Sequence, residues 1–191
     1  MFSKIISTLI IFLIISFSNI IKVYSIEADI FIQSTVNRAS EALNDKFSKE
    51  EKILKLKAIA KETVDIAGIG FYTLGTYRKN ITNDQKKEYS NLFEQYFLKT
   101  FASRLSEYSN PEIEVTSKEK LNQNYTMVSS ILVATDQRPE VKVNWRVYTK
   151  NPDNPLIRDL IIEGLSLVRT QKEEFSSIIE SNDGDINALF S

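Results

Sequence analysis

All four prolines of this 191-residue chain, Pro111, Pro139, Pro152 and Pro155, lie beyond residue 110, and the spacing of apolar side chains changes at the same place. Proline inside a helix removes a backbone hydrogen bond and clashes with the preceding turn, so long helices belong before that point and strands and turns after it. Ile32, Val36, Ala39 and Leu43 predict a first helix over residues 27–44. Ser48 with Glu51 forms a capping-box signature, and Ile53, Leu56, Ala60 and Val64 continue it as a helical stripe. Thr82 with Gln85 repeats the signature and opens the longest predicted helix, to about Tyr108, with Tyr89, Phe93, Tyr96, Phe97, Thr100 and Phe101 near one face.

Beyond Pro111 the period is two. Ile113 and Val115 mark a short strand, and residues 125–134 and 140–150 form two more, separated by a turn at residues 136–139. The third alternates cleanly, with Val141, Val143, Trp145 and Val147 on one face and Lys142, Asn144 and Arg146 on the other. NPDNP at 151–155 is a turn, residues 156–163 are a fourth strand, and Leu167, Val168, Gln171, Phe175 and Ile178 begin a final helix. The expected fold is therefore α+β: a helical N-terminal part, a four-stranded curved antiparallel sheet and a C-terminal helix, in one domain over residues 26–191.

Residues 1–25 stand apart. Lys4 is followed by an almost unbroken apolar run from Ile5 to Phe17, and Val23 and Ser25 suit the −3 and −1 positions of a cleavage site, so residues 1–25 read as a secretory signal peptide cleaved near Ser25. The competing reading is a retained anchor, since Ile5 to Ile21 reaches the lower limit of a membrane span. Cleavage removes Lys4 and Lys22 and leaves 22 basic against 25 acidic side chains, a net charge of −3. That balance is no nucleic-acid footprint.

Cysteine and histidine are both absent. Disulfides, thiol nucleophiles, thiolate metal sites and histidine-dependent triads are thereby excluded, and carboxylates, lysine and tyrosine are the main catalytic options left. Asp159 and Glu163 are four apart on the predicted fourth strand and would face the same side, either as an acid-base pair or as a solvated or ion-paired strand face.

Three of the five glycines, Gly68, Gly70 and Gly75, fall within the apolar segment VDIAGIGFYTLGTYR, residues 64–78. A phosphate loop would need Gly-Lys-Ser/Thr after the glycines and a dinucleotide loop a third glycine at position 73, which is Thr, so neither fits. Lying between two predicted helices, the segment either packs tightly or lines a space.

That segment, followed by YSNLFEQYFLKTFASRLSEYS, RDLIIEGLSLV and EEFSSII in the same order, resembles the MlaC family of periplasmic phospholipid-binding proteins, also called toluene-tolerance auxiliary proteins. The resemblance covers roughly residues 30–190, and carried over residues 64–78 it implies a cavity-forming turn between the two helices. It departs from the family at Thr76-Tyr77-Arg78, where a Tyr-Trp-Arg run is common, at Asn154-Pro155-Leu156, where a Gly-Trp turn is common, and at Gln171, where tyrosine is common.

The resemblance implies a monomeric periplasmic carrier without cofactor. It would move phospholipid between an outer-membrane lipoprotein complex and an inner-membrane ABC transporter with its lipid-binding hexamer, and so maintain outer-membrane lipid asymmetry. Two acyl chains carry on the order of 30 methylenes at about 0.8 kcal/mol each, so exposing them to water costs on the order of 20 kcal/mol, more than a shallow groove could offset. Phe71, Leu74, Phe93, Phe97, Val143, Trp145 and Val147 are the expected wall residues, with Arg78 and Arg104 near the mouth or in structural salt bridges. Three alternatives stand beside this reading: a hopanoid-type lipid carrier of the same family, a small isomerase-like enzyme using Asp65 with Tyr72 or Tyr77, and a structural adaptor with a filled core.

Overall fold

The computed structural model describes residues 26–190; the expected signal peptide and its cleavage site lie outside them. Four helices come first, α1 Ala28–Ala42, α2 Lys49–Thr63, α3 Ile66–Thr73 and α4 Asn83–Leu105. Five strands follow, β1 Ile113–Lys120, β2 Tyr125–Leu132, β3 Val141–Tyr148, β4 Leu156–Ile162 and β5 Leu165–Ser166, then α5 Leu167–Glu180. Short 3-10 turns occupy Tyr77–Lys79 and Ile186–Leu189. Among the described residues no helix is long and apolar enough to cross a membrane.

The expected α+β architecture holds, and both predicted capping boxes form. Ser48 Oγ accepts from the Glu51 N–H at 3.2 Å while Glu51 Oε2 accepts from the Ser48 N–H at 2.8 Å. Thr82 and Gln85 repeat the arrangement at 3.2 and 3.0 Å. Each box satisfies two backbone donors that a helix start leaves without partners, which is why these signatures located α2 and α4 from sequence.

The sheet is an antiparallel meander in the order β1-β2-β3-β4-β5. Its fifth strand was not expected. Glu163 and Gly164 both have positive φ, 49° and 83°, and form a two-residue turn that folds Leu165–Ser166 back onto Ile161 and Ile162. The same turn separates Asp159 from Glu163: Asp159 is 3% exposed on β4, whereas the Glu163 carboxylate accepts from the Lys142 N–H in the turn, so the two do not share a strand face.

One sheet face packs under α1, where Ala28, Ile32 and Val36 meet Val128, Val147 and Ile157, with Trp145 beside them. Two polar residues, Thr126 and Ser130, are buried on β2 in alternation with Val128 and Leu132. Ser130 explains its own burial: its hydroxyl donates to the Val143 carbonyl at 3.0 Å and accepts from Trp145 Nε1 at 2.8 Å. Replacing Ser130 with Ala removes the acceptor of the indole N–H, and we expect a loss of about 1–3 kcal/mol, read as a lower denaturant midpoint with unchanged m-value.

A second cluster fills the space among α3, α4 and α5. Ile66, Ile69, Leu74, Tyr89, Phe93 and Leu98 form it, and Ile186 closes one end. The third joins Ala42, Leu43, Leu56 and Ala102 between α1, α2 and α4.

Candidate functional site

The segment expected to be a turn is a helix. Asp65 starts it: its Oδ1 accepts from the Gly68 N–H at 2.9 Å, and its own N–H donates to the Ile157 carbonyl at 2.9 Å, pinning the start of α3 to β4. Gly75, at φ 55°, ends it in the left-handed conformation that glycine adopts without strain. Gly70 lies where α3 meets α4, and a Cβ there would stand 2.7 Å from Phe93 Cδ1. Glycine is what lets this helix seat on an aromatic ring.

The opposite side of α3 borders a cleft of about 530 Å³. Gly68, Ile69, Phe71 and Tyr72 form its helical wall, Arg78 projects from the following 3-10 turn, and Val168 closes it from α5. Leu121 and Asn122 enter from the β1–β2 connection and Tyr125 from the start of β2, with Arg146 from β3 and Arg158 and Asp159 from β4. Ile69 and Val168 belong also to the helical cluster, so the apolar end of the cleft adjoins the aromatic interior.

Neighbouring residues of a regular strand point to opposite faces, yet Arg158 and Asp159 line the same cleft. The cause is a β-bulge. Arg146 pairs with Asp159 and Val147 with Ile157, leaving Arg158 as the extra residue of β4.

Arg158 is held from three sides. Its Nε donates to Asp65 Oδ2 at 2.6 Å and its Nη1 to the Tyr125 hydroxyl at 2.7 Å, and its guanidinium lies 3.8 Å from the Tyr148 ring centroid. Burial alone would lower its pKa; the hydrogen bonds to Tyr125 and Asp65 and the Asp65 charge reverse that and raise it. Asp159 is likewise occupied: it accepts from the Ser166 hydroxyl at 2.7 Å and the Val168 N–H at 3.3 Å, with Arg146 Nη1 at 3.5 Å. Both carboxylate oxygens of Asp65, the candidate base of an isomerase, are thus engaged in capping α3 and in the ion pair.

The seven expected wall residues divide into groups. Phe71 lines the cleft. Leu74, Phe93 and Phe97 meet in the helical cluster, where Phe93 stacks near Tyr89 and Phe97 with ring centroids at 5.8 and 6.2 Å and takes the edge of Phe175 at 6.3 Å. Val147 and Trp145 lie in the other cluster, under α1, and Val143 is buried two residues further along β3. Arg78 lines the cleft and Arg104 does not.

Ile69, Tyr125, Arg146, Arg158 and Val168 were missed by sequence reasoning. The charge pair RD at 158–159 was visible, but the bulge that turns both side chains to one side has no local signature. Tyr89, buried beside the cleft wall, has its phenol pKa raised by burial, partly countered by its hydrogen bond to Thr73. That hydroxyl donates to Thr73 Oγ1 at 2.8 Å, because Thr73 uses its own proton on the Gly70 carbonyl at 2.8 Å. Among the described residues no group of His, Cys, Asp or Glu is arranged to hold a metal ion.

Residues 33–191 match the family profile described as MlaC protein. The fold is similar to the solved structure of a phospholipid-binding protein from Ralstonia solanacearum in complex with a phospholipid. The TM-score is 0.71 at 19% identity, over 86% of this chain and 93% of that one. No curated protein matches the sequence.

Proposed function

The chain belongs to the MlaC family, and from that premise we propose that it is a periplasmic phospholipid carrier, taking lipid from one membrane complex and delivering it to another. The observation that supports this most directly is the cleft beside α3: apolar at Ile69, Phe71 and Val168, continuous with the aromatic cluster, and basic at Arg78, Arg146 and Arg158. That is the polarity order of a phospholipid, acyl chains inward and phosphate outward. The solved relative's association with a phospholipid agrees with it.

Size sets a condition on the mechanism. If each methylene needs about the 30 Å³ of a water molecule, some 30 of them need roughly 900 Å³. The cleft, about 530 Å³, is open to solvent, and in this scheme its wall parts to bury the chains. The natural line of separation runs along Ile69 and Val168, which divide the cleft from the helical cluster, so that Phe93, Phe97 and Leu74 become lining when α3 and α5 move apart. Trp145, Val147 and Val143 support the sheet from the far side in this scheme. Membrane specificity would come from the partners the resemblance implies, the outer-membrane lipoprotein complex and the inner-membrane transporter with its hexamer.

Transfer between vesicles tests the proposal. With a fluorescent phospholipid in donor vesicles, the purified protein is expected to accelerate its appearance in acceptor vesicles in proportion to protein concentration. A folded protein that leaves the rate at the spontaneous value contradicts it.

A further inference from the structure

We propose that the basic end of the cleft is a phosphate-recognition subsite, formed by Arg78 and Arg146 against the fixed guanidinium of Arg158, that selects phospholipids with net negative head groups; this rests on the carrier reading above.

The charge distribution carries it. The chain as a whole is slightly acidic, with net charge −1. Around this cleft the balance is reversed. Three arginines line it, and two lysines stand over its α3 aromatics, Lys86 Nζ 4.5 Å from the Phe71 ring centroid and Lys172 Nζ 5.5 Å from that of Tyr72. Asp65 and Asp159 are the carboxylates set against them, and both are already committed, to Arg158 and Gly68 and to Ser166 and Val168 respectively.

The arginines differ in availability. Arg158 is fixed by its ion pair, hydrogen bond and ring contact, and so supplies a stationary positive wall. Arg146 holds Asp159 at 3.5 Å, beyond a short charge-assisted bond, and that carboxylate has two other donors, so its guanidinium can turn to a ligand at small cost. Arg78 is exposed, and among the described residues no carboxylate pairs with it. Two planar forks at one mouth suit phosphate oxygens, which guanidinium binds in bidentate fashion.

Selectivity follows from what the mouth lacks. A zwitterionic ethanolamine head group brings an ammonium that finds no uncommitted carboxylate among the cleft-lining residues and meets uncompensated positive charge. A glycerol head group brings only hydroxyls and leaves the phosphate charge free to neutralise the arginines.

The test loads purified protein from vesicles of equal phosphatidylglycerol and phosphatidylethanolamine, re-isolates it and measures the extracted ratio. The wild type is expected to carry phosphatidylglycerol in about three-fold excess, the scale of a partly exposed ion pair. Arg78→Ala with Arg146→Ala is expected to return the ratio to that of the vesicles, while Arg104→Ala, which changes charge outside the cleft, leaves the excess in place. A wild type that carries lipid in the vesicle ratio overturns the subsite and spares the carrier. Loss of the excess in Arg104→Ala overturns it too, because net charge alone would then be responsible. A wild type that takes up no lipid defeats the carrier reading and this inference with it. If the protein instead binds inorganic phosphate through the two arginines while its lipid follows the vesicle ratio, the site serves free phosphate and not a head group.

Discussion

Gly70→Leu is expected to lower stability by about 2–3 kcal/mol, a fall of roughly 5–10 °C in melting temperature for a domain of this size. A leucine in place of a helical glycine gains up to about 1 kcal/mol of propensity, so the sign depends on packing. Packing decides against it, because the first added atom already stands 2.7 Å from Phe93 Cδ1 and 3.0 Å from Cγ, and the ring is held by Tyr89, Phe97 and Phe175. Relief requires α3 to lift away from α4. That motion drives Ile69 and Phe71 toward the cleft, so the surviving folded protein should also carry less phospholipid. A double variant with Phe93→Ala supplies the control: the space left by the ring accepts the leucine, and the two losses add to less than their sum. Additive losses would show that Gly70 and Phe93 are not in contact in solution.

Asp65→Ala is expected to cost about 2–4 kcal/mol, or roughly 5–15 °C. Loss of the helix cap accounts for about 1 kcal/mol of this. The remainder comes from leaving Arg158 without its carboxylate; the full cost of breaking a buried pair is reduced here because the Arg158 side chain is 31% exposed and keeps Tyr125. Asp65→Asn retains an acceptor for the Gly68 N–H and should lose less. Combining Asp65→Ala with Arg158→Met removes the stranded charge and should recover part of the stability. If the double variant is less stable than Asp65→Ala alone, the ion pair is not what joins α3 to the sheet.

The capping signatures and the change of period made α1, α2, α4 and the first four strands legible, because each rests on local chemistry repeated over several residues. Other features rest on contacts between distant parts of the chain. Val64 to Arg78 reads as a glycine-rich turn because helix propensity counts against Gly68 and Gly70, yet Asp65 caps the segment and Phe93 requires the missing side chain, so tertiary packing overrides propensity. β5 was missed because a two-residue strand has no period to detect, although the Glu163-Gly164 turn that creates it is a local feature. Of the aromatic stripe on α4, Tyr89, Phe93 and Phe97 meet in the helical cluster, whereas Tyr96 is exposed, because periodicity places residues on a face without showing what covers each of them. The basic rim was only partly visible: Arg78 lies in the segment that carries the resemblance, whereas Arg146 and Arg158 come together through strand register and a bulge.

A short helix bearing two glycines, tied to the sheet by one ion pair and seated on one aromatic ring, is well suited to be the wall that moves. A phospholipid carrier built this way must admit an apolar chain behind that helix. The most direct measurement is to express the full chain with export, purify the folded protein without detergent, extract it with organic solvent and identify the extract by mass spectrometry. Phospholipid in stoichiometric amount is the predicted result. A folded protein that yields no lipid, and that takes none up when incubated with phospholipid vesicles, would contradict it.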